Sequence, residues 1–242
     1  MTMAWAKRGW LCLAAGAAAL AGLTLGLAAE AGADTPLRAS VYVCQSPGGR
    51  VSLEMTPAEP RGESGRGRGL ARDKASGRVL YSLDWYASRG KAIPLDDGLG
   101  VIRLGPWAGD RLGLSDLAVA FYRQGREIKR YRVSELLRDR GKIIRTASHY
   151  FWMDRDYPLG LSPDQRLLTI FLVDGGVVQF ATASGARVEP KDLASMAQAR
   201  QVFVRAEQLR SRGDTRAALP LYQQSLRLWP NLFLEEKVRH LR

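Results

Sequence analysis

A short turn that leads directly into an apolar strand recurs along the chain. The segments SPGGRVSL (46–53) and SPDQRLLTI (162–170) share Ser-Pro, two turn-forming residues and an arginine before the strand. LDDGLGVIRL (95–104) is a looser third copy. Proline and aspartate favour tight turns, so each copy predicts a turn with a strand immediately after it. Three copies of this unit predict a repeated antiparallel β architecture between residues 37 and about 190.

Two further stretches predict complete β-hairpins. In LAVAFYRQGREIKRYRV (117–133), an apolar arm leads into a turn at Gln124 and Gly125, and the arm after the turn sets Ile128, Tyr131 and Val133 among charged residues. The return arm is rich in charged residues, which predicts that one face of this hairpin is exposed to solvent. In LLTIFLVDGGVVQFATASG (167–185), which turns at 174–176, both faces of the arms are apolar. This second hairpin is therefore expected in the interior of a sheet.

The turn-to-strand unit resembles the repeats of β-propeller-like proteins of the WD40 and quinoprotein-like kind. DGGVVQFATASG (174–185) looks like the inner hairpin of one such blade. A closed propeller needs at least four blades of roughly 40 residues. Residues 37–190 barely provide that length, so an open propeller-like sheet array and a β-sandwich are both alternatives to a closed ring. The expected fold is mainly β, followed by C-terminal α-helices.

The periodicity changes from strand to helix after Pro190. Apolar residues at helical spacing predict a first helix that ends near Gly213, a residue type that favours helix C-termini. Asp214 or Thr215 is suited to cap a second helix, which should end before Pro230. LFLEEKVRHL (232–241) predicts a trailing third helix. The predicted organisation is a β-rich domain over 34–190 and a helical part over 191–242.

This helical pair resembles a single tetratricopeptide repeat, a helix-turn-helix unit used for protein docking. The residues that carry the resemblance are Ala206, Gly213, Ala218, Tyr222, Ser225 and Pro230. The first helix departs from the family pattern at Val202, Arg205 and Leu209, and Pro220 interrupts the second. The resemblance implies a protein partner. The candidate partner-binding residues are Val202, Leu209, Tyr222 and Leu226.

A lone repeat of this kind cannot bury its own hydrophobic face. Such units usually need about three copies to build a continuous core. The hairpin must therefore pack on the β-domain, on a second copy, or on a partner. A helical flap that closes the β-domain is the structural alternative to a docking module.

Residues 60–78, PRGESGRGRGLARDKASGR, are rich in glycine and arginine and contain little to bury, so they predict a mobile loop. The candidate anion-binding residues in it are Arg61, Arg66, Arg68, Arg72, Lys74 and Arg78. The whole chain carries a net charge of +12, which favours anionic partners such as acidic lipid or polysaccharide. Nucleic-acid binding is disfavoured, because this stretch has no aromatic residue on which a base could stack.

The N-terminus predicts an extracytoplasmic protein, periplasmic or secreted. Lys7 and Arg8 precede an uncharged apolar run over 9–29, and the small residues of 31–33 are typical of a signal-peptidase site. Residues 1–33 are therefore interpreted as a signal peptide, although the run over 9–29 is also long enough to stay as a membrane anchor. Cleavage would leave Cys44 without an intramolecular partner, and its alternation within VYVC predicts a small buried hydrophobe.

Few residues are suited to catalysis. The stretch RTASHYFWMDRDYPLG (145–160) groups His149 with Asp154 and Asp156, a weak candidate for a general base and its orienting acids. A packed aromatic loop is the competing interpretation. The sequence holds two histidines and two cysteines and lacks phosphate-loop and nucleophile-elbow patterns, so neither a metal site nor a cofactor is expected.

These observations support three functional hypotheses. The leading one is a non-enzymatic protein-interaction or scaffold module of the cell envelope that docks a protein through its C-terminal hairpin. The second is a basic envelope protein that binds anionic lipid or polysaccharide. The third is a hydrolase that uses His149.

Overall fold

The computed structural model describes residues 39–59, 66–105, 116–145, 150–157 and 159–241. They belong to one compact unit, Asp34–Arg242. The strands are β1 (Tyr42–Gln45), β2 (Val51–Pro57), β3 (Arg66–Asp73), β4 (Val79–Trp85), β5 (Ala92–Pro94), β6 (Gly100–Leu104), β7 (Leu117–Arg123), β8 (Arg126–Arg132), β9 (Ile144–Arg145), β10 (Tyr150–Phe151), β11 (Leu159–Leu161), β12 (Leu167–Phe171), β13 (Val177–Ala181) and β14 (Arg187–Val188). The helices are α1 (Val133–Leu136), α2 (Leu193–Ser211), α3 (Thr215–Leu228) and α4 (Leu232–His240), with a 3₁₀ turn at Arg140–Lys142.

Three four-stranded antiparallel sheets make up most of the fold. Their strands follow the order of the sequence, with β1 to β4 in the first sheet, β5 to β8 in the second and β11 to β14 in the third. Strands β9 and β10 form a separate short pair. The predicted class, mainly β with C-terminal α-helices, is confirmed.

Both predicted hairpins are confirmed. The first consists of β7 and β8, and left-handed backbone at Gln124 (φ 49°) and Gly125 (φ 82°) makes its turn. Its return arm β8 is the exposed edge strand of the second sheet. The second hairpin consists of β12 and β13, which are the two interior strands of the third sheet.

The recurring turn of the sequence joins the first two strands of each four-stranded sheet. In the first copy the Ser46 N–H donates to the Val51 carbonyl over 2.9 Å, and in the third the Ser162 N–H donates to the Leu167 carbonyl over 3.0 Å. The same bond joins Leu95 to the Gly100 carbonyl over 2.9 Å in the middle copy. The repeat seen in the sequence is therefore a structural repeat, with one copy in each sheet.

Three hydrophobic clusters hold the three four-stranded sheets and the helices together. Leu53 and Met55 of the first sheet pack with Val101 of the second, and Phe121 of the second sheet packs against Phe180 of the third. The other face of the third sheet, through Phe171, packs against the helices. The second and third sheets thus have partners on both faces, which explains their continuous apolar runs.

The predicted mobile loop over 60–78 is wrong for residues 66–78. They form β3, a turn and the lead into β4, while 60–65 lie outside the described residues. Strand β3 has few apolar side chains of its own because its neighbours fill that space. A Cβ on Gly69 would lie 2.9 Å from Leu83 Cδ1, and one on Gly67 would lie 2.4 Å from the Thr56 carbonyl oxygen. Glycine therefore marks close packing here, and not mobility.

Helices α2 and α3 form the predicted helical hairpin. The side chain of Asp192 accepts a hydrogen bond from Ser195 N and caps α2, and Asp214 caps α3 by accepting from Ala217 N. Gly213 adopts φ +85° between them, as expected of a residue that ends a helix. Asn231 caps α4, the predicted trailing helix. No helix within the described ranges has the length and hydropathy needed to cross a bilayer.

Candidate functional site: the groove between β1 and α4

An open groove of about 1000 Å³ lies where the first strands of the three sheets approach α4. One wall is formed by β1, the turn at 46–49, β5 and β11, and the other is mainly α4. The groove is lined by Val43, Cys44, Gln45, Ile93, Tyr157, Leu159, Phe203, Asn231, Phe233, Leu234, Glu236, Lys237, Arg239 and His240, among others. It is thus a mixed apolar and polar site shared by the β part and the helices.

The three first strands are structurally equivalent, which allows their groove-facing edges to be compared. In an antiparallel ladder alternate residues bond to the paired strand and the others point away from it. The turn bonds from Ser46, Leu95 and Ser162 fix this alternation. The edge groups that point away from the paired strand belong to Val43 and Gln45 in β1, Ala92 and Pro94 in β5, and Leu159 and Leu161 in β11.

The edge of β11 is occupied by the side chain of Asn231, the residue that caps α4. The Asn231 Oδ1 atom accepts from Leu161 N over 3.3 Å, and Asn231 Nδ2 donates to the Leu159 carbonyl over 3.1 Å. The same Oδ1 atom caps α4 by accepting from Phe233 N over 3.1 Å. One buried asparagine therefore acts as a short substitute strand on β11 and fixes the start of α4.

The edge of β5 is also partly satisfied. The Cys44 thiol lies 3.7 Å from the Ala92 carbonyl oxygen, and Pro94 has no N–H to leave unpaired. Burial raises the pKa of the Cys44 thiol to about 11, so the thiol stays protonated near neutral pH and is a poor nucleophile. Cys44 packs against the cluster between the first and second sheets.

The edge of β1 differs from the other two. Within the described part of the chain, nothing bonds to the groove-facing backbone groups of Val43 and Gln45. Val43 is 54% exposed and Val41 is 58% exposed, the two highest values among the exposed large apolar side chains. An exposed, unpaired and apolar strand edge is a ready template for another strand.

Helix α4, the opposite wall, is held in place by its neighbours. The Glu207 carboxylate of α2 accepts from the Tyr222 hydroxyl of α3 over 2.5 Å and forms an ion pair with Lys237 of α4. The Lys237 ammonium lies 4.9 Å from the Phe203 ring centroid. The segment just before α4 is fixed by close packing against β11, since a Cβ on Gly160 would lie 1.8 Å from Trp229 Cη2. The groove therefore has two fixed walls.

The three recurring turns meet beside the groove, around Asp96. Its carboxylate accepts from the Ser46 hydroxyl and from Gly48 N in the first turn, the latter over 2.7 Å. Gln165 of the third turn donates to the same carboxylate, and its Oε1 atom accepts from Asp96 N over 2.9 Å. Burial opposes ionisation of Asp96, but the hydrogen bonds from Ser46 and Gln165 outweigh it and lower its pKa. Asp96 is thus a charged link between three sheets.

The predicted partner-binding residues of the helical hairpin lie inside the chain. Tyr222 is fully buried, and Val202 is 8% exposed. Leu209 and Leu226 are partly buried against the cluster that joins the helices to the third sheet. A partner could reach Tyr222 only by displacing the helices. The hairpin packs against the third sheet, as in the alternative of a helical flap on the β-domain. Its trailing helix α4, in contrast, faces the groove.

The predicted anion-binding residues are spread along β3 and the turn after it. Arg68 and Asp84 line one shallow depression, the Lys74 ammonium donates to Gln45 Oε1 over 3.0 Å, and Arg72 donates to the Gly77 carbonyl. Arg66 starts β3, Arg78 precedes β4, and Arg61 lies outside the described residues.

Of the candidate catalytic residues, His149 also lies outside the described residues. Asp154 Oδ1 accepts from Asp156 N and Tyr157 N, and its Oδ2 pairs with Arg200 of α2. Asp154 therefore ties the loop before β11 to the helices. The exposed Asp156 lines the groove. No group of three metal-ligand side chains occurs within the described ranges.

Sequence reasoning did not single out Asn231, Asp96 or the β1 edge. A signal existed for Asn231, because an asparagine between Pro230 and an apolar helix is typical of an N-cap. The hydrogen bonds from Asp96 to the other two turns join residues that are 46 to 69 positions apart in the sequence, so they leave no local pattern.

Comparisons with known proteins leave the family open. No family model and no curated protein matches the chain. Solved structures with some likeness include hydrazine synthase of Kuenenia stuttgartiensis, with TM-score 0.29, 15% identity, and 58% of this chain and 39% of that chain covered. TolB from Acinetobacter baumannii gives TM-score 0.29 and 12% identity over 62% of this chain and 31% of that chain. Dihydro-heme d1 dehydrogenase NirN in complex with DHE gives TM-score 0.25 and 16% identity over 64% of this chain and 37% of that chain. In each case the aligned region spans less than two-fifths of the other chain.

Proposed function

We propose that this protein is a non-enzymatic, extracytoplasmic interaction module that holds an extended segment of a partner protein as an added strand on β1. The observation that carries the proposal is the unequal treatment of three equivalent edges. Asn231 occupies β11 and Cys44 contacts β5, whereas the edge groups of Val43 and Gln45 have no partner in the described part of the chain.

Strand addition supplies affinity from main-chain hydrogen bonds and specificity from alternate side chains. The open groove leaves space for an added strand, and a segment paired with β1 would present every second residue to one side. The exposed Val43 on β1 and Phe233 on α4 favour apolar residues at those positions. The occupant we commit to is therefore an extended partner segment with alternating apolar residues.

In this proposal the helical part contributes through α4. The resemblance to a tetratricopeptide repeat suggested docking on the hairpin itself, but Tyr222 is used to pack α2 and α3 together. Helix α4 is fixed to the hairpin through Glu207 and to β11 through Asn231. A fixed wall lowers the entropy lost when a peptide is held against it.

We also propose that the three sheets form an open, propeller-like array. Each sheet has its first strand at the groove, and each packs face to face with the next. Strand β2 of the first sheet is polar on its outward face at Ser52, Glu54 and Thr56, which suits a face that ends such an array. The extracytoplasmic location rests on the N-terminal sequence, with Lys7 and Arg8 before an apolar run and small residues at 31–33.

Site-specific photo-crosslinking tests the proposal. A photoreactive amino acid is placed at Val43 or Phe233, which line the groove, and in a matched control at Val79, which is 47% exposed on β4. The expected result is the same cross-linked partner protein from positions 43 and 233 in the native envelope and none of it from 79. A cross-link to a second copy of this chain would indicate self-association through β1. That result, or the absence of a product from both groove positions, would contradict the proposal.

A further inference from the structure

The segment that runs from β8 to the 3₁₀ turn carries a second surface with a different chemistry on its exposed side chains. Strand β8 lies at the opposite edge of its sheet from β5, which lines the groove. Six cationic side chains of this segment form no ion pair within the described part of the chain: Arg126, Lys129, Arg132, Arg138, Arg140 and Lys142. We name these six residues the cationic edge.

The acidic residues of the same segment are engaged elsewhere. Glu127 pairs with Arg130 and accepts from the Tyr122 hydroxyl. The Glu135 carboxylate accepts from Arg132 N, and the Asp139 carboxylate accepts from Gly141 N over 2.8 Å. Residues 126–142 carry seven cationic and three acidic side chains, so the segment keeps a surplus of four positive charges. The Asp174 carboxylate, in the turn between β12 and β13, accepts from Arg138 N over 2.8 Å and offsets part of the charge at that end.

Protection of an exposed strand edge explains part of this pattern. Charged side chains on an edge strand prevent pairing with other chains, and lysine is often used in that way. Protection does not require one sign of charge, however, and it disfavours an exposed large apolar side chain. Ile128 lies in the middle of β8 and is 40% exposed, with the exposed Arg126 and Lys129 close to it in sequence. Cations around an exposed isoleucine match the interface of an anionic bilayer, where charge meets headgroups and the apolar group enters below them.

We propose that the cationic edge binds the surface of an anionic phospholipid bilayer, with Ile128 as its apolar contact. This surface is separate from the β1 groove, so a lipid-bound molecule would keep that groove accessible. An acidic polysaccharide fits the charges but gives no role to the exposed Ile128. The predicted anion-binding residues on β3 and its turn are a weaker candidate, since Arg72 and Lys74 already donate to groups of this chain.

Vesicle co-sedimentation tests the proposal. The compact unit 34–242 contains every described element and omits the apolar run over 9–29, which could itself partition into lipid. It is mixed with vesicles of phosphatidylcholine, with or without phosphatidylglycerol. The test variant is Arg126→Gln, Lys129→Gln, Arg132→Gln. The control, Arg68→Gln, Lys74→Gln, Arg78→Gln, loses the same charge on and beside β3. Circular dichroism confirms that both variants are folded.

The unaltered unit is expected to bind only the anionic vesicles. Because the test variant removes three cations from the lipid-facing surface, it should bind about 100-fold more weakly. The control should change by less than about 3-fold at an ionic strength with a Debye length of about 10 Å. Ile128→Ser should weaken vesicle binding and leave binding to alginate unchanged. Equal losses in the two triple variants, no binding to anionic vesicles, or an Ile128→Ser variant that binds vesicles normally would each overturn the proposal.

Discussion

Asp96 and Gln165 bond to each other in both directions across two sheets. The Asp96 N–H donates to Gln165 Oε1 over 2.9 Å, and Gln165 Nε2 donates to the Asp96 carboxylate. The same carboxylate accepts from the Ser46 hydroxyl and Gly48 N of the first sheet. One side chain therefore links the equivalent turns of all three sheets, next to the groove.

Replacing this carboxylate should destabilise the sheet array. Asp96→Ala removes the acceptor of several donors, and a hydrogen bond to a charged group contributes about 1.5–3 kcal/mol. Allowing for water that can reach the turns, we expect the free energy of unfolding to fall by about 2 kcal/mol, measured in urea. Asp164→Ala is the matched control, because Asp164 is exposed and bonds only within its own turn. It should cost less than about 1 kcal/mol.

The contribution of Asp96 should also depend on pH. Its pKa is lowered in the folded state, so its stabilising effect is present above the unfolded pKa of about 3.9 and is lost as pH falls through the folded pKa. The difference in free energy of unfolding between the unaltered protein and Asp96→Asn should be largest near neutral pH. It should shrink progressively below about pH 4. A difference that stays constant from neutral to acidic pH would contradict this role.

Gly160 should not tolerate a methyl group. A Cβ there would lie 1.8 Å from Trp229 Cη2, so Gly160→Ala must move the indole and should cost about 2–3 kcal/mol in denaturant unfolding. Gly141→Ala is a suitable control, since the nearest atom is the flexible Asp139 carboxylate at 3.1 Å. Adding Trp229→Leu to Gly160→Ala should recover part of the loss, because neighbouring changes are non-additive. Purely additive costs would show that the two residues do not touch.

Asp154 should fix the helices to the third sheet. The variant Asp154→Asn weakens the pairing with Arg200 and should lower stability by about 1–2 kcal/mol, a reduced figure because Arg200 is partly exposed. Hydrogen exchange should accelerate in α2 and leave β2 and β3 unchanged. Arg210→Gln, which removes a more exposed pair with Glu207, should have a smaller effect. Uniform acceleration over the whole chain would argue against this local role.

The sequence predicted the elements whose signals are local. The turns at 46–50 and 162–166, the Gln124-Gly125 hairpin and the Asp214 cap depend on neighbouring residues, so composition and spacing reveal them. Strand β3 was missed because its glycines leave space for side chains of β2 and β4, such as Leu83. Those side chains come close to the glycines only when the strands pair, so the sequence of β3 alone does not reveal the packing.

The candidate site was less predictable than the fold. The Asn231 amide meets β11 across 70 residues of sequence, and the free edge of β1 is recognised only by comparison with β5 and β11. Tyr222, predicted to contact a partner, instead fills the gap between α2 and α3, with its ring centroid 5.6 Å from that of Phe203. Helical periodicity predicts which face of a helix is apolar but not what packs against that face, so the burial of Tyr222 could not be predicted from the sequence.

The most direct measurement of the central claim is amide hydrogen exchange of β1, alone and with the partner identified by cross-linking. In the free protein, Val43 and Gln45 should exchange rapidly, whereas Cys44, which is paired with β2, and Leu161, which is bonded to Asn231, should be protected. Binding should then protect Val43 and Gln45 strongly and leave Cys44 unchanged. If Val43 and Gln45 were already protected in the free protein, or stayed unprotected in the complex, β1 would not be the strand that receives the partner.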